Sequence, residues 1–153
     1  MSSRLFQIIR EDRALAYSIY STPSFFDDTG DLVISAGLDT EHLPETVRLI
    51  LRELRRLREK PVSRAELRRA REFLLGQIDL GLESTDNQMN WIGEQLLGHG
   101  RVYRPAEVKR RFRSVTADEI QSVARDFFRP SRLNLALVSP RKSARDLTPL
   151  LHH

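Results

Sequence analysis

Hydrophobic residues recur with period two only near the two ends of this chain, and with helical period through the long stretch between. That change of spacing limits the folds open to it. Leu15, Tyr17 and Ile19 fall on one face of an extended run, with Ala16, Ser18 and Tyr20 on the other. Leu32-Val33-Ile34-Ser35-Ala36 reads as a second strand, antiparallel to the first. The stretch between them holds the turn formers Pro23, Asp27, Asp28 and Gly30, which predicts a hairpin with a long tip over 22–31. Near the other end, Leu133, Leu135 and Leu137 alternate with Asn134, Ala136 and Val138, predicting a last strand.

The middle of the chain is helical by the same criterion. Ser2 and Ser3 can cap a short opening helix through Leu5, Phe6, Ile8 and Ile9. After the hairpin, Leu43, Val47, Ile50, Leu51, Leu54 and Leu57 form one apolar stripe, with Pro44 tolerated in the first turn and Lys60-Pro61 as the stop. Ser63-Arg64-Ala65-Glu66 is a capping box, in which serine and glutamate each satisfy an orphan backbone donor. It opens a helix that turns Leu67, Ala70, Phe73, Leu74 and Ile78 inward. A third helix runs through Met89, Ile92, Leu96 and Leu97 to Gly98-His99-Gly100, and a fourth starts at Pro105. Thr116-Ala117-Asp118-Glu119 is a second capping box leading Ile120, Val123, Ala124 and Phe127.

Few strands, not interleaved singly with helices, predict an α+β fold: an antiparallel-rich sheet packed on one face by a layer of helices. Three strands are few for so many helices, so the domain, taken as residues 1–140, is expected to lack strands at its N-terminal side. Residues 141–153 read as a polar, loosely held tail, and His152-His153 are tag-like.

Composition narrows the function classes. Of 153 residues, 40% are hydrophobic and 30% charged, the balance of a globular chain rather than a disordered one. No apolar run approaches the roughly 20 residues that cross a bilayer, so no membrane partner is expected, and a soluble protein of cytoplasm or periplasm fits. The net charge of +4 raises nucleic acid as a partner. However, Arg48, Arg52, Arg55, Arg56 and Arg58 are interleaved with Glu45, Glu53 and Glu59, the pattern of solvated helix faces laced with ion pairs. No nucleic-acid-binding motif accompanies them, so no nucleic acid is expected. Cysteine is absent, which excludes disulfides and thiolate metal sites. His42 and His99 stand apart from second ligands and read as surface or turn residues, and Asp27-Asp28 reads as turn chemistry. No metal site, phosphate loop or nucleophile elbow is legible, so the chain alone is expected to be inactive.

The opening block points elsewhere. Ser2-Ser3-Arg4-Leu5-Phe6-Gln7, then Ile9-Arg10-Glu11-Asp12-Arg13-Ala14-Leu15-Ala16-Tyr17-Ser18, resembles a block of the pitrilysin/insulysin and mitochondrial-processing-peptidase family. That block runs S-S-R-L-F-Q, a variable and an aliphatic position, R-E, a variable position, R-G-L-A-Y-S. Asp28-Thr29-Gly30, Ala36-Gly37 to Glu41, Leu82-Glu83-Ser84-Thr85, Leu97 to Arg101, Val115 to Ile120 and Leu133 to Pro140 resemble later parts of the same family. The resemblance implies a zinc peptidase of two related domains closing on a chamber, with this chain as the later part of the domain that carries no metal. It implies no cofactor in this chain, Zn2+ on a companion domain or subunit, a peptide substrate, and a homo- or hetero-oligomer.

It also implies roles for two residues. In the family's metal-free domain an arginine and a tyrosine seven positions apart reach the substrate, and Arg10 and Tyr17 match that spacing. Both would bind substrate, and Tyr17 would support the transition state, since a phenol or guanidinium aimed at a developing oxyanion lowers the barrier. Read without the resemblance, Arg10 is a solvated helix arginine and Tyr17 shares a strand face with Leu15 and Ile19 as a core tyrosine would. Ala14 stands where the family has glycine; if the backbone there needs a positive φ, alanine is strained. A second function is implied by the same scaffold: a non-catalytic assembly subunit.

Overall fold

The computed structural model describes residues 3–141, 143 and 145–152. The cap expected at Ser2 therefore lies outside the described residues, as does His153. Ser3 does cap, its Oγ accepting from the Phe6 N–H at 3.3 Å.

As far as Phe127 the elements follow the order read from the sequence. A π-helical turn over Phe6–Glu11 leads to strands β1 (Ser18–Phe25) and β2 (Gly30–Gly37). A 3-10 turn, Thr40–His42, precedes α1 (Leu43–Glu59), then come α2 (Arg64–Gly81), α3 (Thr85–His99), α4 (Pro105–Ser114) and α5 (Ala117–Phe127). The fold is α+β. Contacts divide the chain into two compact units, residues 1–60 with 122–153, and residues 61–121.

The first unit holds the hairpin. β1 and β2 pair antiparallel from Ser18 opposite Gly37 to Phe25 opposite Gly30. The strands reach further than the turn formers imply, leaving a tip of only four residues, closed by the Phe26 N–H donating to Thr29 O at 2.9 Å. Pro23 lies within β1, on a strand with room for a residue that donates no ladder bond. Gly30 is required by close approach: a Cβ there would stand 2.7 Å from the Ser24 carbonyl oxygen.

Beneath the hairpin, Ile9, Leu15, Ala16 and Ile19 are buried with Leu49 of α1, and Leu5, Phe6, Ile34 and Ile50 pack around them. Ile9 is fully buried, which by apolar transfer stabilises the unit by about 1.5–3 kcal/mol. Glu53, on α1, is also buried, its carboxylate 3.9 Å from Arg4 and 3.5 and 3.7 Å from Arg52 and Arg56. The buried charge is tolerable because three guanidinium groups surround it. Leu43 and Val47 form a second cluster with Leu147, which is 1% exposed. The segment beyond Pro140, loose by composition, is thus anchored on α1 by Leu147, with Leu150 packed against the same cluster, and is braced internally by Arg141 bonded to Asp146 at 2.8 Å.

One expected element is missing. Residues 133–138 join no sheet; the described sheet has two strands, β1 and β2. Alternation gives a segment two faces, but a strand forms only where a neighbour accepts its ladder bonds, and none of the described residues does so.

The second unit is a group of helices. The Ser63 box forms at the Glu66 N–H, which donates to Ser63 Oγ at 3.2 Å, and α3 ends at Gly100 with φ +67°. Arg71 of α2 donates to the Val115 carbonyl beyond α4, and Lys109 of α4 pairs with Asp79 of α2. A cavity of about 420 Å³ lies between α3 and α4, lined by Trp91, Tyr103 and Phe112 among others. Two of these lining residues are joined by the Trp91 indole donating to Tyr103 O at 3.2 Å. Among the described residues, no helix is long and apolar enough to cross a membrane.

Candidate functional site

Arg10 sits on the π-helical turn, whose wider spacing appears in the bond from the Asp12 N–H to Gln7 O at 2.8 Å. A single π turn shifts the register of side chains by part of a turn, and such turns recur at functional sites. Here it buries Ile9 and leaves its neighbour Arg10 outside. The Arg10 guanidinium lies 5.0 Å from the centre of the Phe6 ring and 4.0 Å from the Glu11 carboxylate. Both contacts are exposed and weak, so the arginine is placed without being locked.

Between Arg10 and Tyr17 the backbone reverses at Ala14, with φ +52°, the one non-glycine positive φ among the described residues. The strain expected from the glycine-to-alanine departure is therefore present. The turn is held by the Ala14 N–H donating to Arg10 O at 3.1 Å and the Leu15 N–H to Ile9 O at 2.9 Å. Arg13 ties it to the first turn of α1 through Glu45 at 2.7 Å.

This reversal also corrects the alternation read from Leu15. Leu15 and Ala16 are both buried, and the regular strand begins only at Ser18. A period of two does not hold across irregular backbone, so Tyr17 does not share the core face of Leu15 and Ile19. It is 67% exposed.

Two bonds hold Tyr17 to the segment leaving β2. Its N–H donates to Gly37 O at 2.8 Å, and its hydroxyl donates to Asp39 Oδ2 at 2.6 Å. That hydrogen bond, with the negative charges of Asp39 and Glu41, pushes the phenol above its ordinary pKa, so it remains protonated and able to donate. Arg10 and Tyr17 are both accessible, but Arg10 turns to Phe6 and Glu11 while Tyr17 turns to Asp39; the two share no hydrogen bond. Asp39 was not singled out by sequence reasoning. An aspartate just ahead of a helix reads as a cap, and no local pattern reveals a partner 22 positions away.

The donors of the described residues do not assemble a zinc site. Among the described residues no group of three or more histidine, cysteine, aspartate or glutamate side chains could hold a metal. His42 is near one carboxylate, Glu41, at 3.8 Å. His99 packs edge-on against Tyr103, ring centres 5.8 Å apart, as a packing residue at the end of α3.

Comparison with known proteins gives this geometry its setting. Residues 1–74 match the family model described as the Peptidase M16 inactive domain. An uncharacterized zinc protease of Streptomyces coelicolor is 39% identical over 144 residues, covering 93% of this chain and 31% of that protein. The uncharacterized zinc protease YmxG of Bacillus subtilis is 35% identical over 140 residues, covering 92% and 34%. The chain thus spans about a third of the length of these relatives. Among solved structures, a chain of Complex III2 from Candida albicans, Inz-5 bound, aligns with a TM-score of 0.72 at 20% identity, over 82% of this chain and 30% of that one; that likeness concerns the fold alone. The block that contains Arg10, Ala14 and Tyr17 lies inside the matched residues, and the chain belongs to the M16 peptidase family through that family's inactive domain.

Proposed function

We propose that this chain provides the substrate-contacting face of a zinc-dependent peptidase, with Arg10 gripping the peptide and Tyr17 donating to the oxyanion that forms during hydrolysis. The metal belongs to a companion domain or subunit, and its chemistry is not part of this chain. The observation that carries the reading is the exposure of Tyr17. A phenol two-thirds open to solvent, tethered at its tip by a carboxylate rather than packed into the core, is positioned to exchange partners with a ligand. Its raised pKa keeps it a donor. A guanidinium with only weak contacts, as at Arg10, remains available to the carbonyls of a bound peptide through its fork of donors.

The assembled peptidase, meaning this chain with its zinc-bearing companion, provides the test. Tyr17→Phe removes one hydroxyl and leaves the exposed ring in place. Losing one transition-state donor is expected to lower kcat by about tenfold to a thousandfold. Arg10→Ala is expected to raise KM as well, because ground-state peptide contacts go with it. Unchanged turnover in Tyr17→Phe would sink the assignment and favour a non-catalytic scaffold role, which is indifferent to both substitutions.

A further inference from the structure

We propose that Asp39 is a latch on Tyr17: in the substrate-free protein it occupies the single proton the phenol can donate, and it gives up that proton's bond only when a peptide oxyanion competes for it. The proposal rests on the reading of Tyr17 as a substrate-facing donor.

Asp39 does not use its carboxylate as a helix cap. It stands at the N-cap of the Thr40–His42 turn, where an aspartate ordinarily spends its carboxylate on the first free N–H groups. Here its side chain makes no cap bond. Only its backbone carbonyl serves the turn, accepting from the His42 N–H at 3.0 Å. The carboxylate reaches instead to Tyr17 at 2.6 Å, within the range of charge-assisted O–H···O− bonds, which are roughly twice as strong as neutral ones.

Gly37 holds Tyr17 by its backbone and Asp39 holds it by its tip, so one short segment fixes the residue at both ends.

A phenol hydroxyl carries one proton. While Asp39 accepts it, the hydroxyl has none to offer an oxyanion. Switching acceptors breaks one hydrogen bond and forms another, with the O–H bond intact and no proton transferred. Asp39 therefore opposes the working orientation, and weakening its hold should help turnover rather than harm it.

The experiment compares Asp39→Asn and Asp39→Ala, each with Tyr17 and each combined with Tyr17→Phe, in the assembled peptidase. With Tyr17 present, both substitutions are expected to raise kcat by about threefold to tenfold, the scale of one weakened charge-assisted bond at an exposed site, with KM nearly unchanged. Combined with Tyr17→Phe, neither should raise it. In the full 153-residue chain, NMR titration of the tyrosine rings should show the Tyr17 midpoint falling toward the ordinary range in Asp39→Asn. A fall in kcat would overturn the latch, since it would mean that Asp39 holds the hydroxyl in its working position. So would an unchanged kcat or an unmoved titration, while a large loss in Tyr17→Phe still upheld the function. If Tyr17→Phe itself costs nothing, the functional reading fails and the latch falls with it.

Discussion

Ala14 holds a methyl group in the left-handed region of backbone space, where Cβ crowds the following carbonyl at a cost of about 1–2 kcal/mol. Ala14→Gly removes that clash but adds glycine's unfolded-state entropy, about 0.5–1 kcal/mol. The expected outcome is a net stabilisation of up to about 1.5 kcal/mol, read as a higher denaturant midpoint with an unchanged slope. A lower midpoint would show that residue 14 does not adopt this turn in solution. The same residue shows how much of the site was legible. Arg10 and Tyr17 were readable from their block, and the strain at Ala14 from one departure within it. The exposure of Tyr17 was not, because counting every second residue from Leu15 presumes extended backbone that the Ala14 turn interrupts. Asp39 was illegible for a different reason: its hydrogen bond depends on where the end of β2 lies in space.

Helices were the most readable elements because their ends carry local chemistry. The Thr116 box forms in full: the Glu119 N–H donates to Thr116 Oγ1 at 3.2 Å, and Glu119 Oε2 accepts from the Thr116 N–H at 2.7 Å. These bonds, backbone first and then hydroxyl, hold the Glu119 carboxyl below its ordinary pKa. The folded pKa is therefore lower than the unfolded one. The box contributes its stability above the ordinary glutamate range, near pH 4.3, and that contribution is lost as the pH falls through the depressed folded value. Thermal unfolding of the native chain and of Glu119→Gln should accordingly differ at neutral pH and converge in acid; a gap that persists at the lowest pH would exclude this carboxylate as its source. The run at 133–138 was misread for the opposite reason. Helix bonds close within the segment, whereas a strand's bonds need a second segment, and alternation in one stretch carries no information about a neighbour.

Across the whole molecule, apolar surface is poorly covered for a chain of this length. None of α2, α3 or α4 contains a buried residue, although each has the apolar spacing of a packed helix. Phe73, Met89, Leu96 and Leu97 are 57%, 63%, 55% and 90% exposed, and Tyr20, Phe25 and Phe26 are similarly open on and beside the hairpin. Both described strands also leave one edge unpaired, since the sheet has only two. Contiguous apolar surface and free strand edges drive association, because each covered square ångström is worth about 25 cal/mol and each edge offers ready ladder partners. The chain by itself is therefore expected to self-associate at tens of micromolar and to enhance the fluorescence of an apolar dye. The zinc-bearing companion proposed above should suppress both effects if it covers the same surface. Substituting Leu97 and Met89, the two most open of the large apolar residues of α3, with glutamate should weaken self-association without loss of helix content, since neither side chain is buried. Sedimentation velocity and dye binding provide the check. A strictly monomeric species that ignores the dye at high concentration would mean that the open helical faces close on themselves in solution, and that this chain needs no partner to complete its fold.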